Sequence, residues 1–268
     1  MKKKFAVIGV GNMAKSIISG IISANIPVSS FYLFDKISAA CDCYNGKENF
    51  YIQNDIISTV EKADCILLSV KPQNYNEILS EIKKATDYSQ KLYISIGAGI
   101  TSQSVSDALD GANVIRVLPN LPMTIGMGAS VICKNDNVSK DNFSFVESIF
   151  ASSGSTTIID EKDMNAIIGV TSSSPAYVFK FINAIYMGAK AQGLDTEGLL
   201  ETVCDVVMGS AMLLKQSSDT PTELISKVAS KGGTTEQALL KLDEGNFDKV
   251  IENAMIACTK RADELGKK

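Results

Sequence analysis

A glycine-rich turn follows an apolar run near the start of the chain, in a pattern suited to holding a phosphate group. Residues 5–8 read Phe-Ala-Val-Ile and lead directly into Gly9-x-Gly11-x-x-Ala14. In such a turn Gly9 permits the tight bend, Gly11 lets the backbone approach a pyrophosphate, and Ala14 allows a helix to pack closely on a strand. The N-terminus of that helix would be directed at the anion. The pattern predicts a dinucleotide site, and a purely structural turn is the alternative.

Asp35 and Lys36 follow a second apolar run, 31–34, where a ribose ligand is expected. A carboxylate at this position accepts hydrogen bonds from the ribose hydroxyls and repels a 2′-phosphate, which favours NADH. Lys36 would instead favour the phosphate of NADPH. The balance slightly favours NADH, with NADPH still accepted. The alternative is that both residues only begin a solvated loop.

A second chemically suggestive segment is Ser230–Gln237, which reads Ser-Lys-Gly-Gly-Thr-Thr-Glu-Gln. Thr234 and Gln237 have the spacing of a capping box, which predicts that a helix begins there. The free backbone amides of the Gly-Gly-Thr-Thr stretch would then suit a small carboxylate. The Thr235 hydroxyl could donate a hydrogen bond to a reacting heteroatom beside it. A glycine turn before a capped helix, without any ligand, is the other interpretation.

Histidine is absent from all 268 residues, which restricts the chemistry that is possible. Serine-hydrolase triads and histidine-dependent hydroxyacid dehydrogenases are thereby excluded. A catalytic site must rely on hydroxyls, amides, carboxylates, lysines or a cofactor. The six cysteines form no Cys-x-x-Cys pair, so we expect reduced thiols in a cytoplasmic protein and no metal site.

The overall composition is that of an ordinary globular protein, with 45% hydrophobic and 21% charged residues. A net charge of −4 gives no general attraction to nucleic acid or to anionic lipid. No apolar run approaches the ~18 residues that a membrane span needs. The basic start Lys2-Lys3-Lys4 is not interpreted as a signal peptide, because polar residues interrupt the apolar stretch after it. We therefore expect a small-molecule ligand and neither nucleic acid nor membrane as a partner.

The elements that would position these residues alternate along the first 160 residues. Helical patterns at 75–85 and 102–109 separate apolar runs in the order expected of a parallel sheet covered on both faces. The predicted strands are 5–8, 31–34, 65–70, 92–96, 113–118, 128–133 and 156–159, with a helix near 139–151 between the last two. This predicts an α/β fold: a Rossmann-type doubly wound sheet over residues 1–160, followed by an all-helical domain over residues 161–268.

Three of the predicted strands end in segments rich in Gly, Pro, Lys and Asn. These segments are Ser69–Pro72, Ser95–Gly99 and Arg116–Pro122, and their loops would lie at one edge of the sheet, where ligands bind in open parallel sheets. They are predicted to form the rim of a cofactor site, although each alone could be an ordinary turn.

The segment 176–193 in the helical half is apolar on most sides. A helix of this kind is buried all round. About 100 residues of helices do not easily bury it within one subunit, so we expect it to be sandwiched in a homodimer. A central helix of a monomeric bundle is the alternative.

These segments together resemble pyrroline-5-carboxylate reductase over essentially the full length. The resemblance rests on the glycine turn Gly9–Ala14, on Ser69–Pro72, Arg116–Asn120 and Pro175-Ala176-Tyr177, and above all on Gly232-Gly233-Thr234-Thr235 followed by Ala-Leu. Departures are Ser172 and Ser174 in place of usual glycines, Leu121 in place of a usual threonine, and Lys231 in place of a usual proline.

The resemblance implies reduction of 1-pyrroline-5-carboxylate to L-proline by hydride from NADH or NADPH, the last step of proline biosynthesis. It implies Thr235 as the hydrogen-bond donor to the ring nitrogen, with the substrate carboxylate held by Ser230, Gly232, Gly233 and Thr234. A homodimer is implied, and a larger ring of dimers is left open. The predicted cofactor contacts are Gly9, Gly11, Asn12, Met13, Asp35, Lys36, Asn54, Val70, Lys71, Pro72 and Asn120.

Two other functions remain open from the sequence. One is a related imine or hydroxyacid reductase that acts on another small carboxylate. The other is a reductase-like regulatory protein that binds dinucleotide without catalysis, for which Ser172, Ser174 and Lys231 are the hints.

Overall fold

The computed structural model describes residues 2–266, and within them the chain forms an eight-stranded sheet. The strand order is 3-2-1-4-5-6-7-8, in which β1 to β6 are parallel, β7 is antiparallel to β6, and β8 is parallel to β7. The order 3-2-1-4-5-6 is that of a Rossmann sheet, which confirms the predicted fold class. The strands are β1 Lys3–Ile8, β2 Val28–Phe34, β3 Phe50–Ile52, β4 Cys65–Leu68, β5 Leu92–Ser95, β6 Asn113–Leu118, β7 Gly128–Lys134 and β8 Gly154–Ile158.

The helices follow the predicted pattern, and from residue 161 onward the described chain contains no strand. The predicted helix near 139–151 is observed as α5. The helices are α1 Asn12–Ser23, α2 Ile56–Glu61, α3 Tyr75–Ile82, α4 Ser102–Ala108, α5 Lys140–Ala151, α6 Met164–Ile167, α7 Ser174–Ala191, α8 Leu199–Gln216, α9 Pro221–Val228, α10 Thr234–Glu244 and α11 Phe247–Gly266.

The sheet is buried on both faces because successive side chains of a strand point in opposite directions. In β1, Phe5 and Val7 belong to one hydrophobic cluster, whereas Ala6 and Ile8 belong to another. Burial on both faces explains why this strand is a continuous apolar run rather than an alternating one.

The edge strand β3 was not predicted from the sequence. It spans three residues, Phe50–Ile52, and pairs in parallel with β2. The ring of Phe50 stacks on Phe31, with 4.6 Å between the ring centroids, and also on Tyr44. A strand of this length is too short to show a periodic pattern, and both its pairing with β2 and its aromatic contacts arise only in the folded protein.

Contacts within one chain divide the protein into two compact units. The first comprises Met1–Ser173 and Ile256–Lys268, and the second comprises Ser174–Met255. The first unit therefore includes the last turns of α11 as well as the sheet. The predicted domain boundary between residues 160 and 161 stays a prediction. The two compact units are defined by packing within one chain, which is a different criterion from the division of the sequence into domains.

The second unit leaves much of its apolar surface uncovered. In α7, Phe179 and Met187 are each more than half exposed, and Val178, Phe181 and Ile185 are also exposed. None of the described residues of this helix is buried. The predicted burial on every side is therefore not achieved within a single chain. Among residues 2–266, no helix is long and apolar enough to cross a membrane.

Candidate functional site

The carboxyl ends of β1, β2 and β4 surround a cavity of about 370 Å³. The cavity lies beside β1. The strands β2 and β3 follow on one side of β1, whereas β4 and the later strands follow on its other side. Ligands bind at the point in a sheet where the strand order reverses in this way. Six predicted cofactor residues line it: Gly9, Gly11, Asp35, Lys36, Val70 and Lys71. Ser69, which belongs to the predicted rim segment Ser69–Pro72, also lines it. The other lining residues were not predicted as cofactor contacts and are Ile8, Phe34, Ile37, Asn74, Glu77 and Ile78.

The glycine turn has the geometry that its sequence predicts. Gly9 has φ +91°, and a Cβ atom there would lie 2.4 Å from the Ser69 carbonyl oxygen, so only glycine fits. A Cβ atom at Gly11 would meet nothing within 4 Å, so the backbone is open on that side. Gly11 is the N-cap of α1 and provides no side-chain cap. The first amides of α1 thus have no side-chain cap, and a helix N-terminus of this kind suits an anion.

Asp35 holds the glycine turn in place through its carboxylate. Its Oδ2 accepts from the Val10 amide at 2.7 Å, and its Oδ1 accepts from the Ile37 amide at 2.8 Å. Each carboxylate oxygen can accept more than one hydrogen bond, so both retain capacity for ribose hydroxyls. The position of Asp35 thus combines support of the turn with access to the cavity. Support of the turn was not foreseen, because Val10 is 25 residues away in the sequence.

The remaining predicted cofactor residues do not line the cavity. Asn12 and Met13 form the first turn of α1, and Pro72 begins a short 3₁₀ turn, Pro72–Asn74, after the loop that follows β4. Asn54 is exposed beyond β3. Asn120 is buried and its amide group is engaged within the protein.

The Asn120 side chain joins two neighbouring segments of the first unit. Its Nδ2 donates to the Thr171 carbonyl at 3.2 Å, and its Oδ1 accepts from the Ala129 amide at 2.9 Å. Beside it, the Ser172 hydroxyl donates to the Pro119 carbonyl at 3.2 Å. The serine that replaces a usual glycine at position 172 therefore adds a hydrogen bond to this loop.

Arg116, within β6, is fully buried and forms an ion pair that the sequence did not reveal. Its guanidinium donates to Glu161 Oε1 at 2.6 Å and to Asn165 Oδ1 at 2.6 Å. Glu161 also accepts from the Ser102 hydroxyl at 2.6 Å and from the Cys133 thiol at 3.1 Å. The signal available in the sequence was a single arginine within an apolar strand, because a buried arginine needs a partner.

These contacts control the charge of Glu161. Burial raises the pKa of the Glu161 carboxyl, but hydrogen bonds from Ser102, Arg116 and Cys133, together with the Arg116 charge, outweigh that effect and leave the pKa below its ordinary value. The pKa of the Cys133 thiol is raised strongly by its burial and by the adjacent Glu161 charge. The cluster is thus an ionised pair beside a protonated thiol.

In the second unit, the segment 230–237 forms a turn that leads into α10. The predicted capping box is wrong, because Gly233 rather than Thr234 is the N-cap and no side chain caps the helix. Instead, Glu236 Oε2 accepts from the Gly232 amide at 2.8 Å, and the Gly233 amide donates to the Ser230 carbonyl at 2.9 Å. The helix begins at Thr234, one residue earlier than a capping box with Thr234 as the N-cap would place it.

This arrangement leaves part of the predicted carboxylate site available. Thr234 and Thr235 are the first residues of α10, where backbone amides have no partner within the helix. Thr234 is exposed and Thr235 is half-buried. The turn therefore presents amides and a hydroxyl together, while the Gly232 amide is already bound by a carboxylate.

The strand order, the glycine turn and the cavity define this chain as a Rossmann-type dinucleotide-binding protein. Residues 161–265 match the family model "Pyrroline-5-carboxylate reductase dimerisation", and residues 4–99 match "NADP oxidoreductase coenzyme F420-dependent". The chain belongs to the pyrroline-5-carboxylate reductase family, since a reductase of that name from Methanosarcina acetivorans is 32% identical over 99% of both chains.

Other relatives agree along the whole length. The pyrroline-5-carboxylate reductase of Escherichia coli is 32% identical and covers 100% of both chains. The crystal structure of Plasmodium falciparum pyrroline carboxylate reductase with NADP bound has a TM-score of 0.88 at 26% identity, covering 98% of each chain.

Proposed function

We propose that this protein reduces 1-pyrroline-5-carboxylate to L-proline with hydride from NADH or NADPH. The observation that carries this proposal is membership of the reductase family over 99% of the chain. The cavity at the glycine turn supports it, and so does the relative that binds NADP. The reaction also suits a protein without histidine, because the cofactor supplies the reducing power.

The residues around the cavity fit the phosphates and ribose of a dinucleotide. The open backbone at Gly11 and the first amides of α1 would hold the pyrophosphate. Asp35 would accept from the ribose hydroxyls, and Lys36 lies beside it in the cavity wall. This arrangement supports a slight preference for NADH, which stays a prediction.

When bound, the reduced nicotinamide supplies a hydride to the imine carbon. The Thr235 hydroxyl would donate a hydrogen bond to the ring nitrogen, which makes that carbon more electrophilic and stabilises the charge change. As the hydride adds to the carbon, the electron pair of the C=N bond moves to the ring nitrogen, which takes up one proton from water and completes the secondary amine. Ser230 and the amides of Gly232, Gly233 and Thr234 would orient the substrate through its carboxylate.

Binding of the substrate carboxylate through Gly232 requires that Glu236 move. The Glu236 carboxylate accepts a hydrogen bond from the Gly232 amide at 2.8 Å, and its negative charge would repel the carboxylate of the substrate. Movement of Glu236 is feasible because its side chain is only half-buried. The substrate carboxylate would then replace it at the same amide.

The protein is also proposed to act as a homodimer with an N-terminal dinucleotide domain over residues 1–160. The match of residues 161–265 to a dimerisation family and the exposed apolar side chains of α7 support this assembly. A larger ring of dimers and a cytoplasmic location stay predictions.

The decisive experiment is a steady-state assay with the cyclic imine and each reduced cofactor, followed by identification of the product. Formation of L-proline with consumption of one cofactor per imine is expected. Cofactor binding without turnover of the imine would overturn the proposal and favour a regulatory or related reductase function. A panel of other cyclic imines and small oxoacids separates those alternatives.

A further inference from the structure

The segment Ile96–Gly99 after β5, called here the β5 loop, is fixed by a tyrosine from α3. The Tyr75 hydroxyl accepts from the Gly97 amide at 3.0 Å and donates to the Leu68 carbonyl at 3.1 Å, and it lies 3.0 Å from Ser95 Oγ. Leu68 and Ser95 are the last residues of β4 and β5. One hydroxyl therefore joins the carboxyl ends of two neighbouring strands to the β5 loop.

The Tyr75 ring also packs directly on the β5 loop. A Cβ atom at Gly97 would lie 2.7 Å from Tyr75 Cε2, so the ring occupies the space that a side chain at Gly97 would need. Tyr75 is only 2% exposed. Burial raises the pKa of Tyr75 to about 12, so the hydroxyl keeps its proton at neutral pH.

The last turns of α11 hold the β5 loop from another direction. Gly99 has φ +80°, and a Cβ atom there would lie 2.2 Å from the Ala262 carbonyl oxygen. A Cβ atom at Gly266 would lie 2.3 Å from the Gly99 carbonyl oxygen. The two backbones thus touch, and a side chain at either glycine would force them apart.

We propose that Tyr75 is a positioning residue that, together with the last turn of α11, fixes the β5 loop as a wall of the dinucleotide site beyond the cavity described above, whose lining residues do not include the loop. The inference rests on the proposed function. The loop lies at the carboxyl end of β5, next to β4, whose following residues Ser69, Val70 and Lys71 line the cavity. A binding wall must be held by surrounding contacts before the ligand arrives if binding is not to be weakened by ordering it.

Tyr75→Phe tests the hydrogen bonds, with Tyr93→Phe as a matched control. Tyr93 lies on β5, is fully buried, and donates to the Tyr88 carbonyl at 2.8 Å, away from the β5 loop. The measurement is the dissociation constant of NADH and of NADPH, followed by nicotinamide fluorescence without substrate. Tyr75→Phe is expected to weaken binding by roughly tenfold, the equivalent of one lost hydrogen bond, and the control by less than about twofold.

Thermal unfolding of both variants distinguishes positioning from stability alone. If both lose similar stability and cofactor affinity is unchanged in both, Tyr75 is merely structural and the inference is wrong. Gly266→Ala provides a second variant should Tyr75→Phe not fold, because Gly266 lies at the exposed end of α11 and the added Cβ atom would press on the Gly99 carbonyl oxygen of the β5 loop. It is expected to weaken cofactor binding as well, and unchanged affinity in that variant would also overturn the inference.

Failure of the proposed function gives a different result. If the wild-type protein binds the cofactor but does not reduce the imine, the proposed reaction is wrong and the affinity comparison still decides the role of Tyr75. If the wild-type protein binds neither NADH nor NADPH, both the proposed function and the role of Tyr75 are overturned.

Discussion

Replacement of Asp35 by serine should have two separate effects. It should lower kcat/KM with both cofactors, and it should shift the preference from NADH towards NADPH. In the structure this carboxylate accepts from the amides of Val10 and Ile37, at 2.7 and 2.8 Å. Loss of these contacts loosens the glycine turn for NADH and NADPH alike. Hydrogen bonds to a charged group contribute about 1.5–3 kcal/mol each, and neutral ones about 0.5–1.5 kcal/mol. We expect kcat/KM to fall with both cofactors through this common effect.

The preference between the cofactors should shift as well. The hydrogen bond from the ribose 2′-hydroxyl to the carboxylate is available only with NADH, and repulsion of the 2′-phosphate affects only NADPH. A difference of about 1.4 kcal/mol is a factor of ten, so the NADPH to NADH ratio of kcat/KM should rise by roughly tenfold or more in Asp35→Ser. The common loss from the glycine turn cancels in that ratio.

The assay measures kcat/KM for both cofactors in the wild type, in Asp35→Ser and in Asp35→Asn. The asparagine variant retains one oxygen acceptor and removes the charge, so it separates phosphate repulsion from support of the turn. Lys36→Ala should lower kcat/KM for NADPH only, by the equivalent of about 0.2–1 kcal/mol, because an exposed pair between lysine and phosphate contributes no more than that. An unchanged ratio in Asp35→Ser, with both efficiencies reduced, would show that Asp35 only supports the turn and that another position, such as Asn54, selects the cofactor.

Three further predictions address the substrate, the assembly and stability at acidic pH. Thr235→Ala should slow imine reduction by up to about 10²–10³, as loss of a positioned donor does, with cofactor affinity by fluorescence unchanged; wild-type turnover would contradict the assigned role. Ile185→Glu places a charge on an exposed apolar helix face and should dissociate or unfold the dimer, whereas a fully active monomer by light scattering, in the variant or the wild type, would exclude an obligate dimer. Glu161→Gln leaves the buried Arg116 without its ion pair and should lower stability by about 3 kcal/mol at neutral pH. The pKa of Glu161 in the folded protein lies below its ordinary value of 4.5, so the stability that its charge provides is lost as pH falls below 4.5. The difference in unfolding free energy between the wild type and Glu161→Gln, measured by urea unfolding, should therefore narrow at acidic pH. A difference that does not change with pH would contradict the assigned charge.

The sequence was sufficient to predict the elements that depend on neighbouring residues. Continuous apolar runs and the glycine turn depend on local backbone geometry and on burial of both sheet faces, and they predicted β1, β4, β5 and β6 near their observed positions. Gly9 could be assigned to the turn because its conformation excludes a side chain. The apolar character of α7 predicted a partner surface, because a helix that is apolar on most sides needs cover that one subunit does not supply.

Contacts between distant residues could be decided only by the tertiary structure. Arg116 and Glu161 are 45 residues apart, and nothing near either residue in the chain indicates that they pair. Tyr75 has the sequence pattern of an ordinary buried helix position, yet its hydroxyl meets Gly97, 22 residues away. Similarly, the predicted capping box of Thr234 and Gln237 is not formed, and Glu236 instead accepts from the Gly232 amide before α10. Local sequence restricts which conformations each segment adopts, whereas a polar side chain in the folded protein bonds to whichever groups the packed elements bring within about 3 Å.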